Sequence, residues 1–425
     1  MHQNQTAKKM KRRAVFEEIV AKRQSKLGRI VVFTGARQTG KTTVARHAFA
    51  DYAYLAVDDL VQSRELLNLT ASQWKTFYPK AVLDEVQKEP VLIDSIKATC
   101  DQFPETRYLL LGSSQFLLME KVRESLAGRC VIMEIFPLIL PEMLTNNFDD
   151  VIENSFFVQY IHGEKNTDSV FPAFSLHPRY AEKKQAYDFY LNYGGYPALT
   201  DSDLTENDRE EWLAMYVKTF LERDIRDLAS FRDLEPFVKL QRYLANTTSD
   251  LANFSSIAKE TGVSVPTVQR YVRYMEISYQ SVTLPAWASN PLKKLVKAPK
   301  IHFLDGGVLR GVLQKKGAMT GGEYESAIVA EIYKQIKTYR LPLVCYHLRT
   351  QDGREVDLLL ESEDGFIAIE VKSTENVTRS DAKHLFDLQE ILNKPLKHAF
   401  VLSNDVRTQQ LGENITAMHA AAFLS

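Results

Sequence analysis

A glycine-rich segment carries the clearest chemical signal in this sequence. The spacing Gly-x-x-x-x-Gly-Lys-Thr runs from Gly35 to Thr42, after the apolar run 30–33 and before a helix predicted to begin at Thr43. Glycines let backbone N–H groups turn inward around phosphate oxygens, and the positive end of the following helix adds to the attraction. Lys41 would reach the β- and γ-phosphates of a nucleotide, and the Thr42 hydroxyl would bind Mg²⁺. A glycine-rich turn matching by chance is disfavoured by this strand and helix context. The predicted phosphate-binding residues are Gly35, Ala36, Arg37, Gln38, Thr39, Gly40, Lys41, Thr42 and Thr43.

An acidic pair after a short apolar run predicts that the nucleotide is hydrolysed. The run 81–83 ends in Asp84 and Glu85. Asp84 would hold Mg²⁺ through water, and Glu85 would polarise the attacking water. Acidic pairs at strand ends are by themselves more typical of solvated turns. After a phosphate-binding loop at this spacing, the pair favours hydrolysis over binding alone.

Two further positions are candidates for assisting that reaction. The run 107–111 leads into Ser113 and Ser114, where a side chain could orient the lytic water or simply form a turn. Arg129 could stabilise the γ-phosphate charge, either within its own chain or across a subunit interface. The alternative for Arg129 is an ion pair with the acidic middle of the chain.

Near the carboxyl terminus, three charged residues fall on one face of a predicted hairpin. Strands at 354–361 and 366–371 flank a four-residue turn, which sets Asp357 directly opposite Glu370. Lys372 lies two residues further on, so the alternation of side chains places it on the same face. A register shifted by one pair sets Asp357 opposite Lys372 and preserves the shared face.

This order of residue types matches the D…ExK arrangement of PD-(D/E)xK nucleases. There the acids bind Mg²⁺, with Mn²⁺ as an alternative, and the lysine positions or activates water. Glu325 on the preceding helix matches that superfamily's first acid, and Glu323 is the fallback. The alternative is a solvated hairpin face, because alternation alone explains much of the pattern. We expect a nuclease-like fold and leave cleavage open.

A helix-turn-helix is predicted at 255–273. Ala258 is the small residue where the two helices cross, Gly262 forms the turn, and the second helix starts near Ser264 with Pro266 in its first turn. The alternative is a winged helix used for packing or oligomerisation, since the fold alone does not imply binding. The residues predicted to contact DNA bases and phosphates are Ser264, Thr267, Gln269, Arg270 and Arg273, with Lys293, Lys294 and Lys297 as a wing or its flank.

Several segments together carry a family pattern. They are the loop from Gly35 to Thr43, "VLDEVQ" at 82–87, "LLLGSSQ" at 109–115, "LAGR…FPL" at 126–138, "GGYPAL" at 194–199, "TFLERDIRDL" at 219–228 and "KAPKIHFLDGG" at 297–307. With these segments the chain resembles the widespread prokaryotic AAA-type ATPases that have an uncharacterised C-terminal domain. The resemblance implies ATP as the nucleotide and covers most of the chain. Segment 145–190 lies outside it and is predicted to be an insertion.

The elements needed to position these residues indicate an α/β protein. We expect a P-loop ATPase parallel sheet, a helical connector with a winged helix, and a C-terminal restriction-endonuclease-like α/β domain. The sheet would use strands at 30–33, 54–57, 81–83, 108–111 and 131–135, and the C-terminal domain a helix at 323–339, strands at 343–348, 354–361 and 366–371, a helix at 380–393 and a strand at 398–402. The predicted units are 1–28 (a basic helix), 29–145 (ATPase core), 146–235 (connector), 236–312 (winged helix) and 318–425 (nuclease-like).

The charge balance conceals strong local differences. The 425 residues include 53 Lys and Arg against 54 Asp and Glu, which argues against a uniformly basic nucleic-acid binder. Residues 1–28 carry eight bases and two acids, 142–211 five bases and fourteen acids, and 269–300 six bases and one acid. Localised basic surfaces therefore remain compatible with DNA as a partner.

Other features bear on location. The three cysteines are far apart in sequence, so we expect a reducing compartment and no zinc or disulfide framework. The amino terminus has no apolar segment typical of a secretory signal, and the most apolar run, 130–140, is too short to span a bilayer. We predict a cytoplasmic protein without a membrane segment.

The leading hypothesis is an AAA-type ATPase that self-associates and acts on DNA through a winged helix and a metal-dependent nuclease-like domain. The alternative is an ATP-driven switch or adaptor that binds DNA or protein without cutting. If DNA neither binds nor stimulates hydrolysis, a protein-remodelling or signalling ATPase is the third hypothesis.

Overall fold

A computed structural model gives the architecture of the chain. It describes residues 10–112, 119, 121, 122, 124–221, 234–289 and 298–425. Among these residues no helix combines the length and apolar character needed to cross a membrane.

The amino-terminal part is a parallel sheet with helices on both faces. The strand order is β2-β3-β4-β1-β5, so β4 lies between β1 and β3. Helices α1 and α2 pack on one face of the sheet, and α3, α4 and α5 pack on the other. All five predicted strands are confirmed. The strands are β1 (Ile30–Thr34), β2 (Ala53–Ala56), β3 (Lys80–Asp84), β4 (Arg107–Leu111) and β5 (Cys130–Glu134), and the helices are α1 (Phe16–Gln24), α2 (Lys41–Ala48), α3 (Leu60–Leu67), α4 (Ala71–Phe77) and α5 (Val91–Gln102).

The middle of the chain is helical, as predicted. Helix α9 continues as a π-helix over Tyr216–Leu221. The α-helices are α6 (Leu140–Met143), α7 (Phe156–Ile161), α8 (Tyr180–Tyr193), α9 (Glu206–Met215) and α10 (Glu235–Asn246).

Two helices and a hairpin follow where the sequence predicts a helix-turn-helix. Gly262 ends the first helix with φ 72°, a left-handed conformation that glycine adopts without a steric penalty. Ser264 caps the second helix by accepting the Thr267 N–H. The elements are α11 (Phe254–Thr261), α12 (Val265–Ile277), the antiparallel strands β6 (Ser281–Leu284) and β7 (Lys300–Phe303), and α13 (Gly306–Leu313).

A mixed six-stranded sheet forms the carboxyl-terminal part, with the order β12-β13-β11-β10-β9-β8. The helix predicted at 380–393 is wrong. Two short 3₁₀ turns, Arg379–Ala382 and Leu388–Ile391, occur instead, and Asp387 between them has φ 55°, which no α-helix contains. Strands β12 and β13 and helix α15 were not predicted. The elements are α14 (Gly321–Thr338), β8 (Val344–Arg349), β9 (Glu355–Glu361), β10 (Phe366–Val371), β11 (Leu396–Ser403), β12 (Gln409–Gly412), β13 (Ile415–His419) and α15 (Ala420–Leu424).

Helix α14 contacts both the helical part of the chain and the segment that follows the parallel sheet, and thereby connects them to the carboxyl-terminal part. Ser326 Oγ accepts the Phe303 N–H of β7 at 3.0 Å, and Glu331 Oε1 accepts the Leu140 N–H that follows the parallel sheet at 2.7 Å. The largest apolar core extends from Phe136 through the middle helices to the last helix. Motion of one part therefore strains the packing of the others.

Candidate functional site

The phosphate-binding loop adopts the backbone that its glycines predict. Gly35 has φ 139°, and a Cβ there would lie 2.1 Å from the Ile135 carbonyl oxygen, so a larger residue does not fit. Gly40 has φ 88° and precedes the first residue of α2, Lys41. The Lys41 ammonium donates to the carbonyl oxygens of Gly35 at 2.8 Å and Ala36 at 2.7 Å. The ammonium thus lies against the loop, at the amino-terminal end of a helix.

The carboxyl ends of β1 and β3 bring together the predicted magnesium ligands. Thr42 Oγ1 lies 3.4 Å from Asp84 Oδ2, and both residues are partly exposed. A hydroxyl and a carboxylate at this separation fit Mg²⁺, which prefers oxygen ligands and retains several waters. Tyr54 on β2 also donates its hydroxyl to Asp84. Burial, followed by this bond to Asp84, raises the pKa of Tyr54 to about 12. Sequence reasoning missed Tyr54.

Glu85 has an unusual backbone. Its φ of 58° and ψ of 34° are left-handed, a conformation that is uncommon for non-glycine residues. The Asp84 carboxylate accepts the Glu85 N–H at 3.0 Å, and Gln87 Nε2 donates to Glu85 Oε2 at 2.6 Å. Gln87 therefore fixes the orientation of the predicted base. The sequence "VLDEVQ" contained Gln87, but nothing in it indicated this role.

A buried ion pair supports the loop from behind. The Arg13 guanidinium donates to the carbonyl oxygens of Thr39 and Phe136, each at 2.6 Å, and its Nε lies 3.1 Å from Glu142 Oε2. Arg13 is 5% exposed and Glu142 1%. The sequence showed only a basic segment here, because the partners of Arg13 are up to 129 positions away along the chain.

The remaining candidates near the nucleotide loop have different outcomes. Ser113 and Ser114 lie outside the described residues. Arg129 precedes β5 at the amino end of the sheet, whereas Thr34 and Glu134 pair at the opposite, carboxyl end. The expected position of Arg129 near the nucleotide edge of its own chain is therefore wrong. Its Nε lies 3.3 Å from Asp101 of α5, so it also does not pair with the acidic middle segment.

The predicted DNA-contacting face of α12 is partly exposed. Gln269, Arg270 and Arg273 are exposed and Thr267 is half-buried. Arg273 forms an exposed ion pair with Glu276 at 3.1 Å. Lys293, Lys294 and Lys297 lie outside the described residues. DNA contact by this face stays a prediction.

The hairpin β6–β7 is joined to the carboxyl-terminal sheet. After β6, Trp287 N–H donates to the His347 carbonyl at 2.7 Å, and His347 N–H donates to the Pro285 carbonyl at 3.1 Å. Ala286 forms a parallel bridge with His347 on edge strand β8. The connection between β6 and β7 therefore extends that sheet. Backbone pairing of this kind does not require particular residue types, whereas the alternation of an amphipathic strand does. The sequence therefore could not predict it.

The register predicted for β9 and β10 is confirmed. Phe366 pairs with Glu361, and the ladder continues to Ile369 with Leu358. The next positions are Asp357 and Glu370, and Asp357 Oδ2 accepts the neighbouring Val371 N–H at 2.9 Å.

The predicted charged residues come together near Glu325 of α14. Glu370 Oε1 lies 2.6 Å from Lys372 Nζ. Asp357 and Glu370 are only 6% and 4% exposed, so this is not a solvated face. Glu323 instead belongs to the capping box of α14 and pairs with Lys315 at 2.7 Å. Glu325 is therefore the α14 acid that joins the group, and Glu323 as the fallback is wrong.

A buried lysine that sequence reasoning missed lies among these acids. Lys300 of β7, 2% exposed, has its Nζ 2.9 Å from Glu325, 2.7 Å from Glu355 and 3.3 Å from Asp357. We call Glu325, Glu355, Asp357 and Glu370 the carboxylate cluster. Within the described part of the chain, no group of three or more His, Cys, Asp or Glu side chains is arranged to hold a metal ion. The residues present therefore do not fit the metal predicted at Glu325, Asp357 and Glu370.

Burial and mutual repulsion shape the protonation of this cluster. Burial, followed by the charge of Asp357, raises the pKa of both Glu325 and Glu370. Burial opposes the charge on Lys300, but Asp357, Glu325 and Glu355 together raise its pKa above the usual value. The lysine is thus held as a cation by acids that are themselves costly to ionise.

Two of the family-like motifs meet at one residue. Asp305 of "FLDGG" accepts the N–H groups of Gly307 and Val308 through Oδ1 and that of Gly195 of "GGYP" through Oδ2. A Cβ on Gly195 would lie 2.2 Å from the Leu138 carbonyl oxygen. These motifs form the junction between the parallel sheet and the helical part.

Comparison with known families defines the class of the amino-terminal part. Residues 27–144 match the family described as "AAA domain". Together with the parallel sheet and the loop geometry, this match makes the segment an AAA-type P-loop ATPase domain. Residues 184–318 and 320–423 match two families described as domains of unknown function, DUF8612 and DUF4143.

Relatives of the whole chain are uncharacterised. A protein of Mycobacterium tuberculosis (strain H37Rv) is 24% identical over 394 residues, which cover 89% of this chain and 79% of the relative. A protein of Haemophilus influenzae is 23% identical over 330 residues, covering 76% of this chain and 72% of the relative.

Solved structures show weaker likeness. The Walker-type ATPase of Pyrococcus abyssi has a TM-score of 0.42 and 15% identity, covering 70% of this chain and 95% of that one. The Aeropyrum pernix ORC2 protein has a TM-score of 0.24 and 12% identity, covering 77% and 93%. Both TM-scores are below 0.5, so neither establishes a common overall fold.

Proposed function

We propose that the protein hydrolyses ATP with Mg²⁺ and uses this reaction to act on DNA. The observation that carries the proposal is the meeting of Lys41, Thr42, Asp84 and Glu85 at the carboxyl edge of the parallel sheet. The loop supplies N–H groups and an ammonium for the phosphates, and the strand end supplies a carboxylate for the metal and a second one for water.

The residues divide the reaction between them. Lys41 would bind the β- and γ-phosphates, and Thr42 and Asp84 would hold Mg²⁺, whose charge would supply neutralisation at the phosphates. Glu85, oriented by Gln87, accepts the proton of the attacking water. A serine at 113 or 114 remains our candidate for orienting that water.

Phosphate release tests the ATPase assignment. We expect Lys41→Ala to abolish ATP binding and Glu85→Gln to retain binding while slowing hydrolysis by about 10²–10⁴-fold, the usual contribution of a general base. Glu105→Gln is the matched control, since Glu105 is exposed and pairs only with Lys75 among the interactions described for it. Undiminished hydrolysis in both active-site variants would refute the assignment.

DNA binding is proposed for the exposed face of α12. Gln269, Arg270 and Arg273 present side chains suited to base edges and phosphates. We expect Arg270→Ala/Arg273→Ala to weaken binding to a fluorescent duplex and to reduce the salt slope by about 2, one for each phosphate that is no longer neutralised. Lys239→Ala on α10, an exposed charge of the same sign, is the control. Unchanged binding would exclude this face.

A panel of different DNAs tests coupling between the parts. We expect duplex, single-stranded or branched DNA to change the ATPase rate, as required if hydrolysis is used on DNA. Absence of both binding and stimulation would favour the protein-remodelling hypothesis.

Self-association is proposed as well, and it leaves Arg129 available to a neighbouring subunit. We expect ATP to increase the molecular mass measured by light scattering. If Arg129→Ala keeps this increase but hydrolyses ATP more slowly, the result would support a role for Arg129 in the site of a neighbouring subunit.

A second proposal concerns the carboxyl-terminal domain, which we propose is a non-cleaving switch or adaptor. Lys300 among the carboxylates favours this over a metal-dependent nuclease. Incubation with supercoiled, linear and branched DNA plus Mg²⁺ or Mn²⁺ should leave the DNA intact. Cleavage lost on Asp357→Ala and on Lys372→Ala would restore the nuclease hypothesis.

A further inference from the structure

One side of helix α2 faces the hydrolytic end of the nucleotide site. Thr42 Oγ1 lies 3.4 Å from Asp84 Oδ2. Arg46, one turn further along α2, has its guanidinium carbon 4.6 Å from the ring centre of Tyr54, which itself donates to Asp84. The γ-phosphate of the proposed substrate belongs on this side, so the base of the nucleotide leaves the loop in another direction.

The neighbouring side of α2 is open to solvent. Thr43 and His47 are both exposed, and His47 Nδ1 lies 2.9 Å from the Thr43 carbonyl oxygen. Successive residues of a helix are about 100° apart, so these two side chains face away from that of Thr42. Thr43 is the last of the predicted phosphate-binding residues, and His47 lies one helical turn beyond it. A base that extends past Thr43 would therefore meet the His47 ring.

A second aromatic ring lies against that of His47. The ring centres of His47 and Phe148 are 4.5 Å apart at an angle of 39°, and Phe148 packs edge-on against Phe16 at 4.7 Å. Arg12 holds Phe148 in place, because its guanidinium carbon lies 4.9 Å from the Phe148 ring centre and its Nη1 donates to the Phe148 carbonyl at 3.1 Å. Phe148 is partly exposed, so its ring is not enclosed in a core.

We propose that His47 and Phe148 form the stacking surface for the base of the nucleotide, and that this base is a purine. Aromatic side chains that stack on a base contribute about 5- to 150-fold in affinity for each base. Phe148 belongs to segment 145–190, which the sequence predicts to be an insertion outside the family pattern. That segment thus takes part in nucleotide binding. The inference rests on the proposed ATPase function and names the residues that select its substrate.

Titration calorimetry of the full-length protein with ADP and with inorganic tripolyphosphate, each with Mg²⁺, tests this proposal. Tripolyphosphate has no base, so it reports on the loop alone. We expect His47→Ala and Phe148→Ala each to weaken ADP binding by about tenfold and to leave the affinity for tripolyphosphate unchanged. His47→Phe and Phe148→Tyr keep an aromatic ring and should keep most of the affinity for ADP. Phe77→Ala and His162→Ala are the matched controls, since both remove exposed rings far along the chain from this surface.

A comparison of ADP with CDP tests the choice of base. A purine offers a larger ring system for stacking than a pyrimidine, so the wild type should bind ADP more tightly than CDP. The two alanine variants should reduce this preference. A wild type that binds both nucleotides equally would overturn the assignment to a purine.

Two results would overturn the stacking surface itself. The first is an affinity for ADP that neither alanine variant changes. The second is an equal loss of affinity for ADP and tripolyphosphate, which would show that the two rings only support the fold of the loop. Either result leaves the proposed function intact as long as the wild type binds both ligands, whereas a wild type that binds neither would refute the proposed function and this inference together.

Discussion

Removal of the Arg13 side chain tests whether the buried ion pair behind the phosphate-binding loop supports that loop. In Arg13→Met, Glu142 keeps the N–H groups of Ala14 at 2.8 Å and Ile139 at 3.1 Å but loses its only described cation. The carbonyl of Thr39, inside the loop, also loses its donor. Breaking a buried pair in this way costs about 3–5 kcal/mol, a large part of the stability of a typical domain.

The protein has several parts, so local measurements are preferable to one global unfolding curve. We expect faster amide hydrogen exchange in peptides covering the loop and weaker binding of a fluorescent ATP analogue. Glu142→Gln added to Arg13→Met should restore part of the loss, because it removes the uncompensated charge. Lys184→Met is the control, since the partly exposed pair of Lys184 with Asp188 on one helix is worth only about 0.3–0.5 kcal/mol.

Two outcomes would refute this reasoning about Arg13. The first is an Arg13→Met protein as stable in the loop region as Lys184→Met. The second is a double variant in which adding Glu142→Gln lowers the stability of the loop region by as much again as Arg13→Met did. The two residues of a true ion pair are coupled, so their changes in stability should be less than additive.

Three further changes are expected to have measurable effects. Tyr279→Phe removes a buried hydroxyl 2.6 Å from Thr34 Oγ1, at the end of β1 just before the phosphate-binding loop. ATP affinity should therefore fall in titration calorimetry, with about 1–3 kcal/mol of stability lost. Unchanged affinity and stability would contradict a contribution of the Tyr279 hydroxyl to the loop. Gly195→Ala places a Cβ 2.2 Å from a carbonyl oxygen and should lower the melting temperature, whereas Gly321→Ala, with open space around it, should not. Burial lowers the pKa of His398 to about 4 from 6.5, so the unfolded chain binds more protons between these values and stability should fall as pH drops from 6.5 to 4; His398→Asn should flatten this slope in urea unfolding.

The nucleotide site was the most predictable part of the molecule. The loop from Gly35 to Thr42 is contiguous, and its chemistry depends on backbone shape that glycine positions dictate. Asp84 and Glu85 were found because the carboxyl ends of parallel strands lie at the same edge of a sheet. Residues that directly follow the apolar run 81–83 therefore lie at the same edge as the phosphate-binding loop, which follows the run 30–33. Tyr54, Gln87 and Arg13 were not found, because their roles depend on which strands and loops become neighbours.

The carboxyl-terminal domain shows the same difference between local features, which the sequence predicts, and contacts between distant parts of the chain, which it does not. The turn length predicted the register of β9 and β10, which the structure shows as far as Ile369 with Leu358, next to Asp357 and Glu370. Residue types could not show that a lysine from another part of the chain enters the same face. The predicted metal site therefore did not take account of the Lys300 ammonium, and Arg129 was placed at the wrong end of the sheet by proximity along the chain alone.

The sequence by itself determined what is local: the phosphate-binding loop, the strands of the parallel sheet, the capped helix pair around Gly262 and the hairpin register. Each depends on backbone conformation or side-chain alternation within a few residues. Only the tertiary structure decided how charges meet, as with Arg13 against Glu142 and Lys300 among the carboxylates. Electrostatic energies in a buried site depend on distances of a few ångströms and on the exclusion of water, and both arise when separate parts of the chain pack together.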